Sequence, residues 1–126
     1  MPTVLSANAA PGDWTVVGLC AEWCRTCLDY RPQLAARAAS VPDELHLWVD
    51  VEDEADALGD LDIETFPTLL VLYRDVPVFF GTVLPQIEQV DRLLQALRQR
   101  EPAPVPVPPE TAAAIRWLAQ QARASR

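Results

Sequence analysis

The stretch LCAEWCRTCLDYRP, residues 19–32, contains all three cysteines of a chain of 126 residues. Two of them, Cys24 and Cys27, are separated by two residues. A short apolar and β-branched run, Trp14–Cys20, comes directly before, and residues 24–39 have the composition and the apolar spacing of a helix. The pattern predicts a strand that leads into a helix, with Cys24 at the junction.

This junction has a chemical consequence for the cysteines. The first turn of a helix presents unpaired N–H groups and the positive end of the dipole, so a thiolate is favoured at Cys24, and Arg25 adds a cation beside it. Cys27 follows about one helical turn later, close enough to attack a mixed disulfide formed at Cys24. The alternatives are two inert buried thiols or an incomplete zinc site. No metal is expected, because zinc needs four ligands and the only other soft candidates, Cys20 and His46, do not form a second pair at the usual spacing.

The rest of the chain alternates between strand and helix patterns. Arg74-Asp75 separates two apolar runs and predicts a hairpin, and Ile87 begins an apolar stripe at helical spacing. The order β-α-β-α-β-β-α predicts an α/β fold with a mixed central β-sheet covered by helices. The elements after the first helix are a strand over residues 45–51, a short helix over 53–59, strands over 68–73 and 76–81, and a helix over 87–97.

Composition restricts the partners and the location. A net charge of −8 makes nucleic acid and anionic membrane surfaces poor partners, and the absence of lysine excludes Schiff-base chemistry. The N-terminus has no signal pattern and no stretch approaches the roughly 20 apolar residues that span a bilayer. A cytoplasmic location is therefore expected, where thiols rest reduced and a cysteine pair is more often catalytic or metal-binding than structural.

Several motifs together resemble the thioredoxin family. They are AEWCRTC at residues 21–27, Pro32, VDVED at 49–53, TFPTLLVLY at 65–73, and the final hairpin and helix, and the resemblance covers about Trp14–Arg98. It implies a thioredoxin-like fold and a domain over residues 1–100 with a shortened N-terminus. In that N-terminus, residues 3–6 are expected to form an edge strand followed by a remnant of a helix.

The resemblance also implies an activity. Cys24 would be the nucleophile and Cys27 the resolving thiol of a thiol–disulfide oxidoreductase that acts on protein disulfide or dithiol clients, takes electrons from a thioredoxin-reductase-type donor, needs no cofactor and serves cell redox homeostasis. Pro67 would be a cis-proline that leaves the backbone beside it free to pair with an extended client, although a proline opening a strand is also ordinary. The alternative function is a binding or chaperone-like module whose thiols have weak or only redox-sensing activity. The substrate-binding residues implied are Trp23, Arg25, Thr26, Phe66 and Pro67.

The sequence departs from the family pattern near the cysteines. Gly18 stands where thioredoxins usually have a buried Asp that manages the proton of the resolving thiol, and Trp48 occupies the position of a nearby lysine. Cys20 replaces an aromatic residue and is interpreted as a small buried hydrophobe, with a third redox thiol as the alternative. His46, alone on a strand, is interpreted as a surface residue.

The C-terminal region has a different character. Residues 101–110, EPAPVPVPPE, predict an extended Pro-rich linker with a reach of about 30 Å. Residues 111–126 predict an amphipathic helix, basic in a chain whose body is acidic. This helix either folds back on its own body or docks on a second copy, giving a homodimer, or on a client. Removal of residues 102–126 is expected to leave a folded domain.

Overall fold

The computed structural model describes residues 2–6, 12–59, 61, 63 and 65–125. Within these residues the elements are β1 (Thr3–Val4), β2 (Trp14–Cys20), α1 (Arg25–Ser40), β3 (Glu44–Asp50), α2 (Ala55–Leu58), β4 (Thr68–Tyr73), β5 (Val76–Thr82), α3 (Ile87–Arg98), a 3₁₀ turn (Pro109–Thr111) and α4 (Ala112–Ala124).

The strands form one five-stranded mixed sheet in the order β1-β3-β2-β4-β5. β2 and β3 are parallel and joined by the crossover helix α1, whereas β4 is antiparallel to both β2 and β5. β1 pairs antiparallel with β3 and forms an edge of the sheet, as predicted for the N-terminus. The remnant helix predicted after β1 falls largely on residues 7–11, which lie outside the described residues. The predicted mixed sheet with covering helices is confirmed.

The hairpin between β4 and β5 turns at Arg74 and Asp75, as predicted. Both residues have positive φ, 48° and 70°, which is the backbone geometry of the tight turn whose twist matches that of the flanking strands. The turn also contacts the C-terminal helix, because Arg123 of α4 forms an ion pair with Asp75.

One face of the sheet is covered by α1 and α3. Because side chains alternate between the faces of a strand, Val16 and Cys20 of β2 point to this side, where they meet Leu34 of α1 and Leu94 of α3. All of these residues are almost fully buried. The helix that carries Cys24 and Cys27 at its start is therefore held against the sheet along its length.

The opposite face is covered mainly by α4. Val17 and Leu19 of β2, with neighbours on β3 and β4, pack against Ile115 and Leu118 of α4 in a second apolar cluster. The short helix α2 contributes Leu58 to the same cluster. The buried residues of α4 are Ala114, Ile115, Leu118, Ala119 and Ala122.

This packing decides between the two roles considered for the C-terminal helix. The apolar side of α4 is buried against the chain's own sheet, so the helix folds back on its own body, as the first alternative had it. This burial argues against the expectation that residues 102–126 can be removed without loss of the fold, because their removal would expose a sheet face whose residues, such as Val17 and Leu47, are 0% exposed.

A buried polar cluster ties α1, β3 and α3 together. Arg37 Nη1 donates to Glu44 Oε1 at 2.6 Å and to His46 Nε2 at 2.7 Å, and Arg37 Nε donates to Asp91 Oδ1 at 2.7 Å. Arg98 Nε donates to the other oxygen of Glu44 at 2.9 Å. The interpretation of His46 as a surface residue is wrong: its side chain is 0% exposed.

The partners of His46 fix its protonation state. Since Arg37 donates to Nε2, that nitrogen carries no proton, and Nδ1 donates to the backbone oxygen of Glu44 at 3.0 Å. Burial, and then the Arg37 guanidinium, lower the pKa of His46 from 6.5 to about 4. The imidazole is thus a neutral structural group.

Substitution of a buried residue of α4 should test whether this helix belongs to the cooperative core. Leu118→Ala should lower the free energy of unfolding by about 2–5 kcal/mol, because a fully buried leucine is truncated at the centre of the α4–sheet contact. Urea unfolding would measure the change, with Gln120→Ala, an exposed position of the same helix, as the matched control. Equal stability of the two variants would show that α4 is not part of the core.

The buried imidazole should make stability depend on pH. In the unfolded chain His46 binds a proton below about pH 6.5, whereas in the folded protein its pKa of about 4 keeps it neutral, so stability is lost as the pH falls through this window. Between pH 7 and pH 5 the loss from this residue should be about 2 kcal/mol. His46→Gln keeps an acceptor for Arg37 and cannot titrate, so its stability should change less over this range. Parallel pH profiles for the two proteins would contradict the assignment.

Candidate functional site

The candidate site lies where β2 ends and α1 begins. β2 ends at Cys20, and α1 begins at Arg25 with Cys24 as its N-cap residue, in an extended conformation with φ −84° and ψ 118°. The backbone N–H of Cys24 donates to the oxygen of Ala21 at 3.0 Å, which closes the connecting turn. The half-buried Cys24 side chain therefore lies at the start of the helix, next to its unpaired N–H groups.

The structure pairs two cysteines that the sequence did not pair. Cys20 and Cys27 form a disulfide whose Cα atoms are 5.8 Å apart, and Cys24 is a free thiol. Cys20 is buried, as interpreted, but it is not merely a small hydrophobe. Its position at the end of β2 could have indicated the pairing. The last residue of β2 points to the face of the sheet that α1 covers, and Cys27 is the first residue of α1 that points toward the sheet.

Asp50, at the end of β3, positions the loop before Cys24. Its Oδ2 accepts from the backbone N–H of Glu22 at 2.8 Å, and its Oδ1 accepts from the N–H groups of Glu52 at 2.9 Å and Asp53 at 3.1 Å. One carboxylate thus ties the loop after β2 to the turn after β3. VDVED is one of the motifs that carry the family resemblance, but this role of its first aspartate was not predicted.

The residues predicted to bind a client lie in the loop before α1, on the first turn of α1 and just before β4. Trp23 is 66% exposed, its Nε1 donates to Glu52 Oε1 at 2.8 Å, and its ring meets the Phe66 ring edge-on at 5.7 Å. The Phe66–Pro67 peptide bond is cis, and Pro67 is buried. The structure therefore brings Trp23 and Phe66 together into an exposed aromatic edge. Arg25 is exposed and Thr26 is half-buried, both in the first turn of α1.

A small cavity of about 110 Å³ lies behind the cysteines. Cys27, Glu22, Asp50, Arg31 and Trp48 are among the residues that line it. Cys27 is 1% exposed, and it lines this cavity together with Glu22 and Asp50 of the neighbouring loops. Arg31 lies over the Trp48 ring at 5.6 Å and closes one side.

The position of the absent aspartate is occupied by apolar groups. Gly18 is paired with Trp48 across β2 and β3, and a Cβ at Gly18 would lie 3.1 Å from Leu34 Cδ2 and 3.2 Å from Trp48 Cε3. There is no room for a carboxylate there without displacement of the indole. Gly18 and Trp48 therefore depart from the family pattern together, because the indole occupies the space that a side chain at position 18 would need.

One group of carboxylates has a spacing that could suit a cation. Oxygens of Glu22, Asp50 and Asp53 lie within 4.8 Å of one another. Both oxygens of Asp50 already accept backbone hydrogen bonds, and Glu22 and Asp53 are exposed. The cluster is explained by its role in the loop and supports no metal assignment.

Comparison with known proteins agrees with the geometry. Residues 6–81, more than half of the chain, match the sequence model of the Thioredoxin family. A curated relative named "Putative thioredoxin 2", from Streptomyces coelicolor, is 28% identical over 85 residues, which cover 67% of this chain and 63% of that protein. The chain therefore spans a little less than two thirds of the length of this relative.

Solved structures show the same fold. Thioredoxin f from spinach chloroplast, in its long form, has a TM-score of 0.60 and 26% identity, covering 69% of this chain and 73% of the other. A complex of ferredoxin:thioredoxin reductase and thioredoxin f2 gives a TM-score of 0.60 and 22% identity, covering 69% and 80%. Because the matched residues carry the strand–helix junction with its three cysteines and most of the sheet, the chain belongs to the thioredoxin family.

Proposed function

We propose that this chain is a thiol–disulfide oxidoreductase that acts on protein disulfides, with Cys24 as the nucleophile and Cys27 as the resolving thiol. The observation that carries the proposal is the placement of Cys24. It is a free, half-exposed thiol at the N-cap of a helix, beside an exposed aromatic edge. A client disulfide can reach a thiol at that place.

The reaction begins from the reduced protein and proceeds in two exchanges. The Cys24 thiolate attacks one sulfur of a client disulfide, a Cys24–client disulfide forms, and the other client sulfur leaves as a thiolate. Cys27 then loses its proton and attacks Cys24 Sγ, which forms the Cys24–Cys27 disulfide and releases the second client thiolate. The client gains two electrons, and the two protein thiols lose them.

The surface around Cys24 supports recognition of an extended chain. Phe66 precedes Pro67 at the beginning of β4, so a client strand can pair with the backbone there, and the Trp23 and Phe66 rings offer apolar contact. The Trp23 indole is held by Glu52, which keeps this edge ordered before a client binds. Arg25 and Thr26 complete the client surface on the first turn of α1.

The electron donor belongs to the same proposal. A thioredoxin-reductase-type partner would supply the electrons, and the similar thioredoxin f2 is known in a complex with ferredoxin:thioredoxin reductase.

We further propose that the chain acts in the cytoplasm and contributes to cell redox homeostasis. Among the described residues, no helix is both long and apolar enough to cross a membrane.

A second candidate function rests on the same surface. The exposed Trp23 beside Phe66 would also suit a binding or chaperone-like module that holds a client without reducing it. A homodimer through the C-terminal helix is not part of either proposal, because the apolar side of α4 is already buried against the sheet.

Reduction of insulin disulfides, with dithiothreitol as donor, distinguishes the two candidates. The wild type should accelerate precipitation of the insulin B chain, and Cys24→Ser should abolish the acceleration, because the hydroxyl is a far weaker nucleophile than the thiolate. Ser40→Ala, at the other end of α1, is the matched control and should behave as the wild type. A wild type that binds insulin without reducing it would favour the binding module.

The missing aspartate should slow the second exchange. Release of the client by Cys27 should be slow near neutral pH and should accelerate by up to about tenfold per pH unit from about pH 6 toward pH 9, because the thiol must lose its proton without an adjacent buried carboxylate. Single-turnover release of a client from Cys24 would measure it. A fast rate that does not change with pH would contradict this prediction. In that case Glu22→Gln, compared with the exposed Glu88→Gln, would show whether the cavity carboxylate is the base.

A further inference from the structure

The three cysteines differ sharply in accessibility. Cys20 is 0% and Cys27 is 1% exposed, and they are bonded to each other beneath the loop, whereas Cys24 is half-buried and carries a free thiol. A thiol of another protein cannot reach either sulfur of the buried disulfide without an opening of the fold. The one thiol of this chain that lies between that disulfide and the surface is Cys24.

Cys24 is also placed to attack. It is the N-cap residue of α1, and Cys27 is the third residue of the helix. Residues at these two positions are close in space, as in a capping box, where the side chain of each one bonds to the backbone of the other. Cys27 is thus within reach of two partners, Cys24 in its own helical turn and Cys20 at the end of β2. It can form a disulfide with only one of them at a time.

We propose that Cys20 is a third redox thiol. It exchanges with the Cys24–Cys27 disulfide and thereby moves the disulfide into the interior of the protein. After a client has been reduced, the Cys20 thiolate attacks Cys27 Sγ, the Cys20–Cys27 bond forms, the Cys24–Cys27 bond breaks, and Cys24 leaves as a thiolate. One disulfide and one thiol are present before and after the step, so no further oxidant or reductant is needed. This inference rests on the proposed function, which supplies the Cys24–Cys27 disulfide.

The environments of the two end cysteines give the exchange its direction. Cys20 is packed in the apolar cluster with Val16, Leu69 and Tyr30, where a thiolate is unfavourable. Cys24 is the half-buried N-cap residue of α1, so a sulfur that leaves there is released beside solvent. The arrangement with the disulfide inside and the free thiol outside is therefore favoured, and it is the one in the structure.

The exchange has a consequence for function. The oxidised protein keeps its nucleophile, since Cys24 is freed when the disulfide moves inward. Re-reduction must follow the reverse path: Cys24 attacks Cys27, Cys20 leaves, and the Cys24–Cys27 disulfide becomes accessible to the thiol of a donor. A permanent structural disulfide between Cys20 and Cys27 would be reduced without participation of Cys24. The test measures whether the Cys24 thiol takes part.

Disulfide mapping of the oxidised wild type is the first measurement. The chain provides the cleavage sites, because Glu22 lies between Cys20 and Cys24, and Arg25 lies between Cys24 and Cys27. Free thiols are blocked with N-ethylmaleimide in acid, and the protein is cut after glutamate and arginine. The Cys20 and Cys27 peptides should be linked, with the maleimide on Cys24. A Cys24–Cys27 link with the maleimide on Cys20 would overturn the proposal.

The rate of reduction is the second measurement. With dithiothreitol, the Cys20–Cys27 disulfide of Cys24→Ala should be reduced at least about tenfold more slowly than in the wild type, since an adjacent thiol acts at a high effective concentration. Oxidised wild type alkylated at Cys24 should be slowed in the same way and requires no substitution. Equal rates with and without the Cys24 thiol would show a static disulfide and overturn the proposal.

Cys20→Ala separates this inference from the proposed function. The variant retains Cys24 and Cys27, so its oxidised form should carry a Cys24–Cys27 disulfide with no free thiol, and it should still reduce insulin disulfide in a single turnover. Failure of both the wild type and Cys20→Ala to reduce insulin would reject the oxidoreductase, whereas the mapping and the reduction rates do not depend on a client. A free Cys24 in oxidised Cys20→Ala would contradict the exchange, because Cys27 would then not pair with Cys24.

Discussion

The central strand β2 is buried on both faces along its whole length, and the rest of the fold follows from that constraint. A strand of this kind must be flanked by other strands and covered by helices on both sides. β3 and β4 flank it within the sheet, and α1 with α3 covers one face. The second face requires a helix too, and the chain supplies it from its C-terminal end through a proline-rich connection.

The same constraint positions the cysteines. Because β2 is buried throughout, its last residue, Cys20, enters the core, and the chain must then turn at once to begin α1. Asp50 ties this turn to the turn after β3, because its carboxylate accepts hydrogen bonds from one backbone N–H in the first turn and two in the second. The geometry at Cys24 therefore depends on a carboxylate that belongs to the neighbouring strand. The conformation of the AEWCRTC motif therefore depends on the alignment of the end of β3 with it.

Local patterns predicted the elements well and long-range partners poorly. The junction before Cys24 and the hairpin at Arg74-Asp75 follow from short stretches of sequence, and the structure has both. His46 was misplaced because its burial depends on Arg37, which lies on another element and satisfies the ring nitrogen. No periodicity of the strand itself reveals such a partner. Within the site, the Cys20–Cys27 pairing required knowledge of which face of the sheet α1 covers.

The buried polar cluster shows how this fold accommodates charged side chains in its interior. Arg37 is 7% exposed and Glu44 is 1% exposed, and each has hydrogen-bond partners on more than one element. A buried charge is costly unless it is paired and hydrogen-bonded, so the cluster fixes the relative positions of α1, β3 and α3 more strictly than apolar contacts alone would. It lies toward the end of α1 opposite to Cys24. The helix is thus anchored at its C-terminal end by charge and at its N-terminal end by the disulfide and Asp50, which leaves Cys24 as the cysteine of this region with an exposed side.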